Sequence, residues 1–320
     1  MGVKKRVEAL YRGRLYGRVD DTGTAFYFSA ADFPGLVREP YPFRSPMGHM
    51  LQGSFYHYGQ PMAGRVVVFD HGLGGGHRSY LKEVELLARH GYLVFAYDHT
   101  GCMESGGEST NGLGQSLCDL DACLRALKAD PAYAGYAISV VGHSWGAYAC
   151  LNIPALHPDV RHVVAISGFL SVELMLRQVF SGVRRPFVGV AREIEREAHP
   201  DTFACRAQDS LRNTDAWVLV IHSADDRVVS FRNFRLLRRA LGQRPNTVFL
   251  RVNGKNHNPN YTEDAVRYKA AYLHELKARL RRGELADAGQ KRRFLDRFDW
   301  NRMTAQDESV WRVIFDVLER

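Results

Sequence analysis

The chain has 320 residues, a formal net charge of +8 and an apolar fraction of 45%. This length suits one large α/β domain with insertions or two modest domains, and the apolar fraction is ordinary for a globular protein. Many basic residues lie late in the chain, but no nucleic-acid-binding motif accompanies them. We therefore interpret them as a solvated helix face and expect no nucleic-acid partner.

The five cysteines are odd in number and show no paired spacing. This pattern favours a reducing compartment. The N-terminus is charged, no apolar segment follows it, and no stretch has the length of a membrane span. We expect a cytoplasmic protein without a membrane span, either a monomer or a homodimer.

Residues 1–60 form a polar, aromatic-rich lead in which no chemistry is evident. Residues 14–19 and 25–29 are predicted strands. Residues 50–58 alternate well enough to predict an edge strand of a larger sheet.

From residue 65 the chain alternates between apolar runs and amphipathic segments. The predicted strands are residues 65–70, 92–97, 138–143, 160–166, 217–221 and 247–252. The predicted helices are residues 78–90, 115–128, 230–241 and 262–282. Near-continuous apolar strands separated by such helices are typical of a doubly wound, mostly parallel sheet, with a core formed by residues 61–167 and 215–282.

Residues 168–214 interrupt this alternation after the sixth strand, with predicted helices at 172–180 and 187–198. We predict a helical cap over the carboxyl edge of the sheet, where ligands bind in open α/β sheets. The alternative is an ordinary insertion with no role in substrate binding.

Residues 283–320 are predicted to be a helical extension. Residues 304–318 form its last helix, and residues 304–307 resemble a capping box. Its apolar stripe is expected to pack on the chain's own body rather than on a second subunit. The stripe consists of Val310, Trp311, Ile314, Phe315 and Leu318.

The motif Gly142-His143-Ser144-Trp145-Gly146 lies between a β-branched run and a helix-like run of small residues. A strand that turns into a helix through G-x-S-x-G is a nucleophile elbow, in which the serine is strained and both flanking positions lack room for a side chain. The motif alone is weak, and a serine that merely caps a helix is the alternative.

A serine hydroxyl needs a base to remove its proton as it attacks. His257 follows the last predicted strand and is the candidate base. Asp225 and Asp226 follow the strand before it, and either could orient the imidazole. We choose Asp226 because of its spacing to Val229, which leaves Asp225 as a turn or capping residue.

An oxyanion hole requires backbone N–H groups that face the developing negative charge. The residue after the nucleophile, Trp145, is one candidate donor. The other is Leu73, in the glycine-rich loop that begins with His71 and Gly72. This loop lacks the phosphate-binding motifs, and no cluster of metal-ligating residues is evident, so we expect neither a metal nor a cofactor.

Together, these residues resemble the α/β-hydrolase superfamily in residues 60–282. The similarity rests on the loop at residues 71–75, the motif at residues 142–146, Asp226 and His257, in family order. The chain looks most like the capped serine hydrolases that include monoacylglycerol lipase-like esterases and serine aminopeptidase-like enzymes. The loop at residues 98–106 departs from the family pattern because an arginine and a glycine are lost.

The resemblance implies a serine hydrolase that cleaves a small-molecule carboxylic ester, thioester or small amide through an acyl-enzyme on Ser144. The alternatives are a C–C bond hydrolase or a cofactor-free peroxidase on the same residues, and a non-catalytic binding protein.

An aminopeptidase would need carboxylates in the cap to hold the substrate's amino group. The candidates are Glu173, Glu193, Glu195 and Glu197, and the last three are predicted to lie on a solvated helix face. The cap's apolar residues would suit an acyl chain or an aromatic acid, although seating the cap would require them as well. They are Phe169, Leu170, Leu174, Met175, Leu176, Val179, Phe180, Phe187 and Val188.

Overall fold

A computed structural model describes residues 2–320. Its main sheet has eight strands in the order β1-β4-β6-β5-β7-β8-β9-β10, and a two-stranded sheet pairs β2 with β3. Strands β5 to β10 pair in parallel, whereas β1 and β4 pair antiparallel at one side. The strands are β1 Leu36–Pro40, β2 Phe43–Arg44, β3 Met50–Leu51, β4 Gly53–Tyr58, β5 Arg65–Asp70, β6 Leu93–Tyr97, β7 Ala137–His143, β8 His162–Ile166, β9 Trp217–Ser223 and β10 Thr247–Val252.

Twelve α-helices are found in the described residues, and four short 3₁₀ segments accompany them. The helices are α1 Val3–Leu15, α2 Leu81–Arg89, α3 Gln115–Ala129, α4 Trp145–Asn152, α5 Val172–Val179, α6 Val188–Ala198, α7 Ala207–Ser210, α8 Arg232–Leu241, α9 Glu263–Arg281, α10 Ala288–Leu295, α11 Trp300–Met303 and α12 Glu308–Leu318. None of the helices in residues 2–320 is long and apolar enough to cross a membrane.

The central strands are apolar along their length because helices cover both faces of the sheet. All five residues of β6 are buried, as are all but the first of β5. One core cluster joins a face of the sheet to α3, α4 and α8, and a second joins the other face to α2 and α12. The predicted doubly wound, mostly parallel sheet is confirmed. Because the parallel strands end at one edge, the loops that follow β5, β7, β9 and β10 meet there.

The predictions for the lead are largely wrong. Residues 14–19 are not a strand, since α1 runs to Leu15, and residues 25–29 have no regular structure. Within residues 50–58, β4 lies between β1 and β6, so the edge strand is β1. Helix α1 packs on helix α6 of the insert at residues 168–214, a contact between residues far apart in sequence that no local pattern could indicate.

The insert at residues 168–214 follows β8, the sixth strand of the main sheet. It contains α5, α6 and α7, close to the predicted helices. Its apolar side chains belong to the same core cluster as α3 and α4, and Phe169 stacks on Tyr148 with ring centroids 4.6 Å apart. These side chains therefore serve to seat the insert on the sheet.

The last helix, α12, starts later than predicted. The capping box at residues 304–307 is wrong, because Asp307 itself is the N-cap and accepts hydrogen bonds from the backbone of Ser309 and Val310. The apolar stripe packs on the chain's own sheet beside β8 and β9, as expected.

Candidate active site

The turn between β7 and α4 holds Ser144 in a strained conformation. Its φ of 57° and ψ of −109° are rarely adopted by a residue with a side chain. A Cβ atom on Gly142 would lie 2.6 Å from the carbonyl carbon of Gly146, and one on Gly146 would collide with the backbone of Asp70. Both glycines are therefore required by the close approach of neighbouring backbone. The serine hydroxyl consequently stands at the start of α4.

The loop after β10 brings His257 to this serine. The Nε2 atom of His257 lies 2.9 Å from the Ser144 hydroxyl oxygen, and its Nδ1 atom lies 2.8 Å from Oδ2 of Asp226. A carboxylate can only accept, so Nδ1–H donates to Asp226 and Nε2 is free to accept the serine proton. The three predicted catalytic side chains thus form one hydrogen-bonded chain.

Asp226 is fixed on both carboxylate oxygens. Its Oδ1 accepts hydrogen bonds from the backbone of Val228 and Val229, at 2.8 and 2.9 Å. Burial alone would raise the pKa of this carboxyl, but hydrogen bonds from His222 and His257 outweigh burial and hold the pKa below its ordinary value. The group therefore stays ionised and keeps the His257 proton on Nδ1.

His222, which its local sequence does not distinguish from a packing or loop residue, also contacts Asp226. Its side chain is almost fully buried, and Nε2 lies 3.2 Å from Oδ2 of Asp226 and 2.9 Å from the carbonyl of Val229. The available signal was its position at the end of β9, four residues before Asp226.

The neighbouring carboxylate, Asp225, does not contact the imidazole. Its Oδ1 accepts from the hydroxyl of Ser223 and the backbone of Gly254, and its Oδ2 accepts from the backbone of Asn256 at 3.2 Å. Asp225 therefore connects the loop after β9 to the loop that carries His257.

The loop after β5 lies beside the elbow. Gly74 has a φ of 93°, in the left-handed region that favours glycine. His71 donates from Nδ1 to the carbonyl of Gly72 at 2.8 Å and accepts at Nε2 from the backbone of His99. Within residues 2–320, neither the Leu73 amide nor the Trp145 amide donates a turn or loop hydrogen bond to a backbone acceptor.

His143, the residue before Ser144, supports the loop that carries His257. Its Nε2 donates to the carbonyl of His257 at 2.7 Å, and its Nδ1 accepts from the hydroxyl of Tyr80 at 2.9 Å. Burial, followed by the nearby charge of His257, lowers the pKa of His143 to about 3. A neutral imidazole suits this role, because one ring nitrogen must donate while the other accepts.

A second buried network lies beside the glycine-rich loop at residues 71–75. His99 is fully buried between the carboxylates of Asp70 and Asp119, and its ring centroid is 4.7 Å from that of Trp145. Burial would lower the pKa of His99, but the charge of Asp70 and hydrogen bonds to both carboxylates raise it to about 10. A buried imidazolium paired with two acids therefore packs beside Trp145, the residue that follows Ser144.

The lead braces the loop at residues 98–106, where the family arginine is missing. Arg18 donates to the carbonyls of Met103, Ser105 and Gly107 at 2.6 to 2.9 Å, and its Nε pairs with Asp20. A guanidinium from outside the loop thus holds its backbone.

The prediction that Glu195 lies on a solvated face is wrong. Its carboxylate is fully buried and accepts from the hydroxyl of Tyr11 at 2.7 Å and from the backbone of Leu113 and Gly114. The carbonyl of Leu113 in turn accepts from the indole of Trp145 at 2.8 Å. The buried glutamate therefore connects α1 and helix α6 to the turn at Ser144.

In the described part of the chain, no group of three or more His, Cys, Asp or Glu side chains is arranged to hold a metal ion. The described side chains at this edge of the sheet include a serine hydroxyl and an imidazole that is hydrogen-bonded to a carboxylate.

Comparison with known proteins supports the description of the fold. A family model described as the alpha/beta hydrolase fold matches residues 65–244. The esterase Pf2001 of Pyrococcus furiosus aligns over 81% of this chain and 96% of its own, at 15% identity and a TM-score of 0.58. Est1E of Butyrivibrio proteoclasticus, solved with ferulic acid, aligns over 74% and 98%, at 16% identity and a TM-score of 0.55. An esterase domain from a Rhodothermus marinus protein aligns over 76% and 98%, at 20% identity and a TM-score of 0.50.

Proposed function

Because the chain belongs to the α/β-hydrolase fold family, we propose that it is a serine hydrolase that cleaves a carboxylic ester through an acyl-enzyme on Ser144. The observation that carries this proposal is the continuous hydrogen-bonded chain from Ser144 through His257 to Asp226, with distances of 2.9 and 2.8 Å. The solved esterases that share the fold support the choice of an ester over other substrates.

In the first step, His257 Nε2 takes the hydroxyl proton as Ser144 Oγ attacks the ester carbonyl carbon. The imidazolium that forms is stabilised by the ionised Asp226. The carbonyl oxygen becomes negative and is held by the Leu73 and Trp145 amides, at the N-terminus of α4.

The tetrahedral intermediate collapses when His257 gives its proton to the leaving alcohol, and the acyl group stays on Ser144. Water then attacks the acyl-enzyme, with His257 again as base, and the acid is released as the serine is regenerated. The same residues would also hydrolyse a thioester or a small amide, since the fold alone does not determine which of these bonds is cleaved.

The contacts of the cap argue against an aminopeptidase. Glu173 pairs with Arg192 and Arg177, Glu193 pairs with Lys4, and Glu195 is buried on backbone amides. These carboxylates are already engaged and are not free to hold a substrate amino group. The fourth candidate, Glu197, is exposed.

The experiment is turnover of a para-nitrophenyl ester series from acetate to decanoate, together with fluorophosphonate labelling and peptide mapping. We expect stoichiometric labelling at Ser144, and we expect Ser144→Ala to abolish turnover while the melting temperature changes little. Labelling without turnover of any ester would refute the ester assignment. No labelling of a folded protein would refute the serine mechanism.

A further inference from the structure

Helix α9 carries exposed leucines on one of its faces. Leu273 and Leu280 are 50% and 51% exposed, and the partly buried Leu276 lies between them. The spacing of three and four residues places all three on the same face of the helix. The apolar cluster that seats α9 includes Tyr272 and Leu276, whereas Leu273 and Leu280 lie outside it. These two leucines therefore do not contribute to seating the helix.

Two basic side chains lie beside the leucines. Lys277 and Arg281 are exposed, stand one turn apart, and border the same shallow surface as the leucines. Within residues 2–320, neither forms an ion pair with a carboxylate, since the nearby Glu275 and Glu284 are paired with other arginines. The positive charge on this face is therefore uncompensated. We call the three leucines, Lys277 and Arg281 the α9 strip.

The exposed apolar surface continues from the α9 strip to the candidate site. Leu273 and Leu276 also line a cavity of about 550 Å³, together with Phe26 of the lead and Leu73 of the loop at residues 71–75. Phe26 and Leu73 are each 37% exposed. Four separate apolar side chains thus connect α9 with a loop beside Ser144. A continuous apolar surface rimmed by polar residues is typical of an interaction site.

A second copy of the chain does not suit the α9 strip. Stable dimers bury about 800 Å² on each partner, and one helix face on which only two leucines are half-exposed offers far less. Two copies would also bring Lys277 and Arg281 near the same charges of the other copy, which disfavours the contact. A bound peptide would need a groove, whereas the strip is shallow.

We propose that the α9 strip docks the protein on an anionic lipid surface. A helix with leucines on one face and basic residues beside them lies in the plane of a membrane interface. The leucines enter the acyl boundary, while the long basic side chains extend to the phosphates of the headgroups. The net charge of +8 adds attraction at longer range. Docking of this kind is reversible and does not depend on the proposed serine chemistry.

The test is binding of the full chain to vesicles made of equal parts phosphatidylcholine and phosphatidylglycerol, measured by co-sedimentation. We expect binding that weakens as salt is added, because salt screens exposed charges. Vesicles of phosphatidylcholine alone should bind about tenfold more weakly or less. Ser144→Ala should bind as the unmodified protein does, so the outcome is separate from that of the esterase assays.

The first variant removes the charges of the α9 strip. Lys277→Gln combined with Arg281→Gln should weaken binding about 25-fold, at about fivefold for each basic residue. Arg235→Gln combined with Arg239→Gln is the matched control. Both arginines are exposed, stand one turn apart on α8 and form no ion pair within residues 2–320. The control removes the same net charge and should change binding by less than about threefold.

The second variant removes the leucines. Leu273→Gln combined with Leu280→Gln should weaken binding about tenfold or more while the melting temperature changes little, because both side chains are half-exposed and glutamine is a good helix former. Val3→Gln combined with Leu10→Gln is the control, since these residues of α1 are more exposed than the α9 leucines. It should leave binding unchanged.

Three results would overturn the proposal. The first is no binding to either vesicle, or equal binding to both. The second is a loss of binding in the α1 or α8 control as large as in the α9 variants, which would place the docking surface elsewhere. The third is a dimer, detected by light scattering, that dissociates in Leu273→Gln combined with Leu280→Gln, since the α9 strip would then be an interface between copies of the chain.

Discussion

Replacing Asp226 by asparagine should remove most of the activity without removing the fold. The backbone of Val228 and Val229 donates to Oδ1 of Asp226, so the oxygen of the new amide must stay at that position. The NH₂ group then faces Nδ1 of His257. Because an NH₂ can only donate, Nδ1 becomes an acceptor and the ring proton moves to Nε2. In this tautomer His257 cannot accept the Ser144 proton.

The expected loss in kcat is about 10⁴-fold, as for the same tautomer error in other triads, which corresponds to roughly 5.5 kcal/mol of barrier. Asp225→Asn is the matched control. Its amide would lose one hydrogen bond, from the backbone of Asn256, at a cost of about 1 kcal/mol in stability and less than about tenfold in kcat.

The assay is steady-state hydrolysis of the best para-nitrophenyl ester, with the melting temperature of each variant as a check on folding. Equal losses in the two variants, or a larger loss in Asp225→Asn, would refute the assignment of the acid and the tautomer argument with it.

Two further predictions concern the supporting histidines. Tyr80→Phe removes the hydroxyl that donates to His143 Nδ1, so kcat should fall several-fold while KM changes little. If steady-state assays give the variant the same kcat as the unmodified protein, Tyr80 does not position the loop that carries His257. Asp70 and Asp119 raise the pKa of His99 from 6.5 to about 10. The stabilisation that the charged imidazolium contributes to the folded state is therefore present in full below pH 6.5, and it is lost as the pH rises to about 10. His99→Asn should be less stable at pH 7, yet its melting temperature should fall less steeply between pH 7 and 10; parallel curves for the two proteins would contradict a buried imidazolium.

The sequence was sufficient for the parts of the molecule that depend on local pattern. The apolar strands predicted the parallel sheet, because strands covered on both faces need apolar residues throughout. Since the carboxyl ends of parallel strands share one edge, the order of the loops predicts that Ser144, Asp226 and His257 lie near one another. The structure brings these three within hydrogen-bond distance.

Contacts between distant segments were beyond the sequence. Glu195 follows the pattern of an exposed helix residue, and only the packing of α1 and the loop at residues 111–114 on α6 reveals that it is buried. A cavity lined by residues of the lead, the loop at residues 71–75, α9 and the C-terminal extension is likewise built from segments whose local sequences do not indicate that they meet. The strands predicted at residues 14–19 and 25–29 are wrong for the same reason, because tertiary packing overrides weak local propensity.

The central claim is a covalent acyl group on Ser144, and the most direct measurement is the intact mass of the enzyme after rapid acid quenching during turnover of a para-nitrophenyl ester. The account predicts a species heavier by one acyl group, with the modification on the peptide that contains Ser144 and absent from Ser144→Ala. Turnover with no acylated species under conditions that show a burst of nitrophenol, or acylation at another residue, would contradict it.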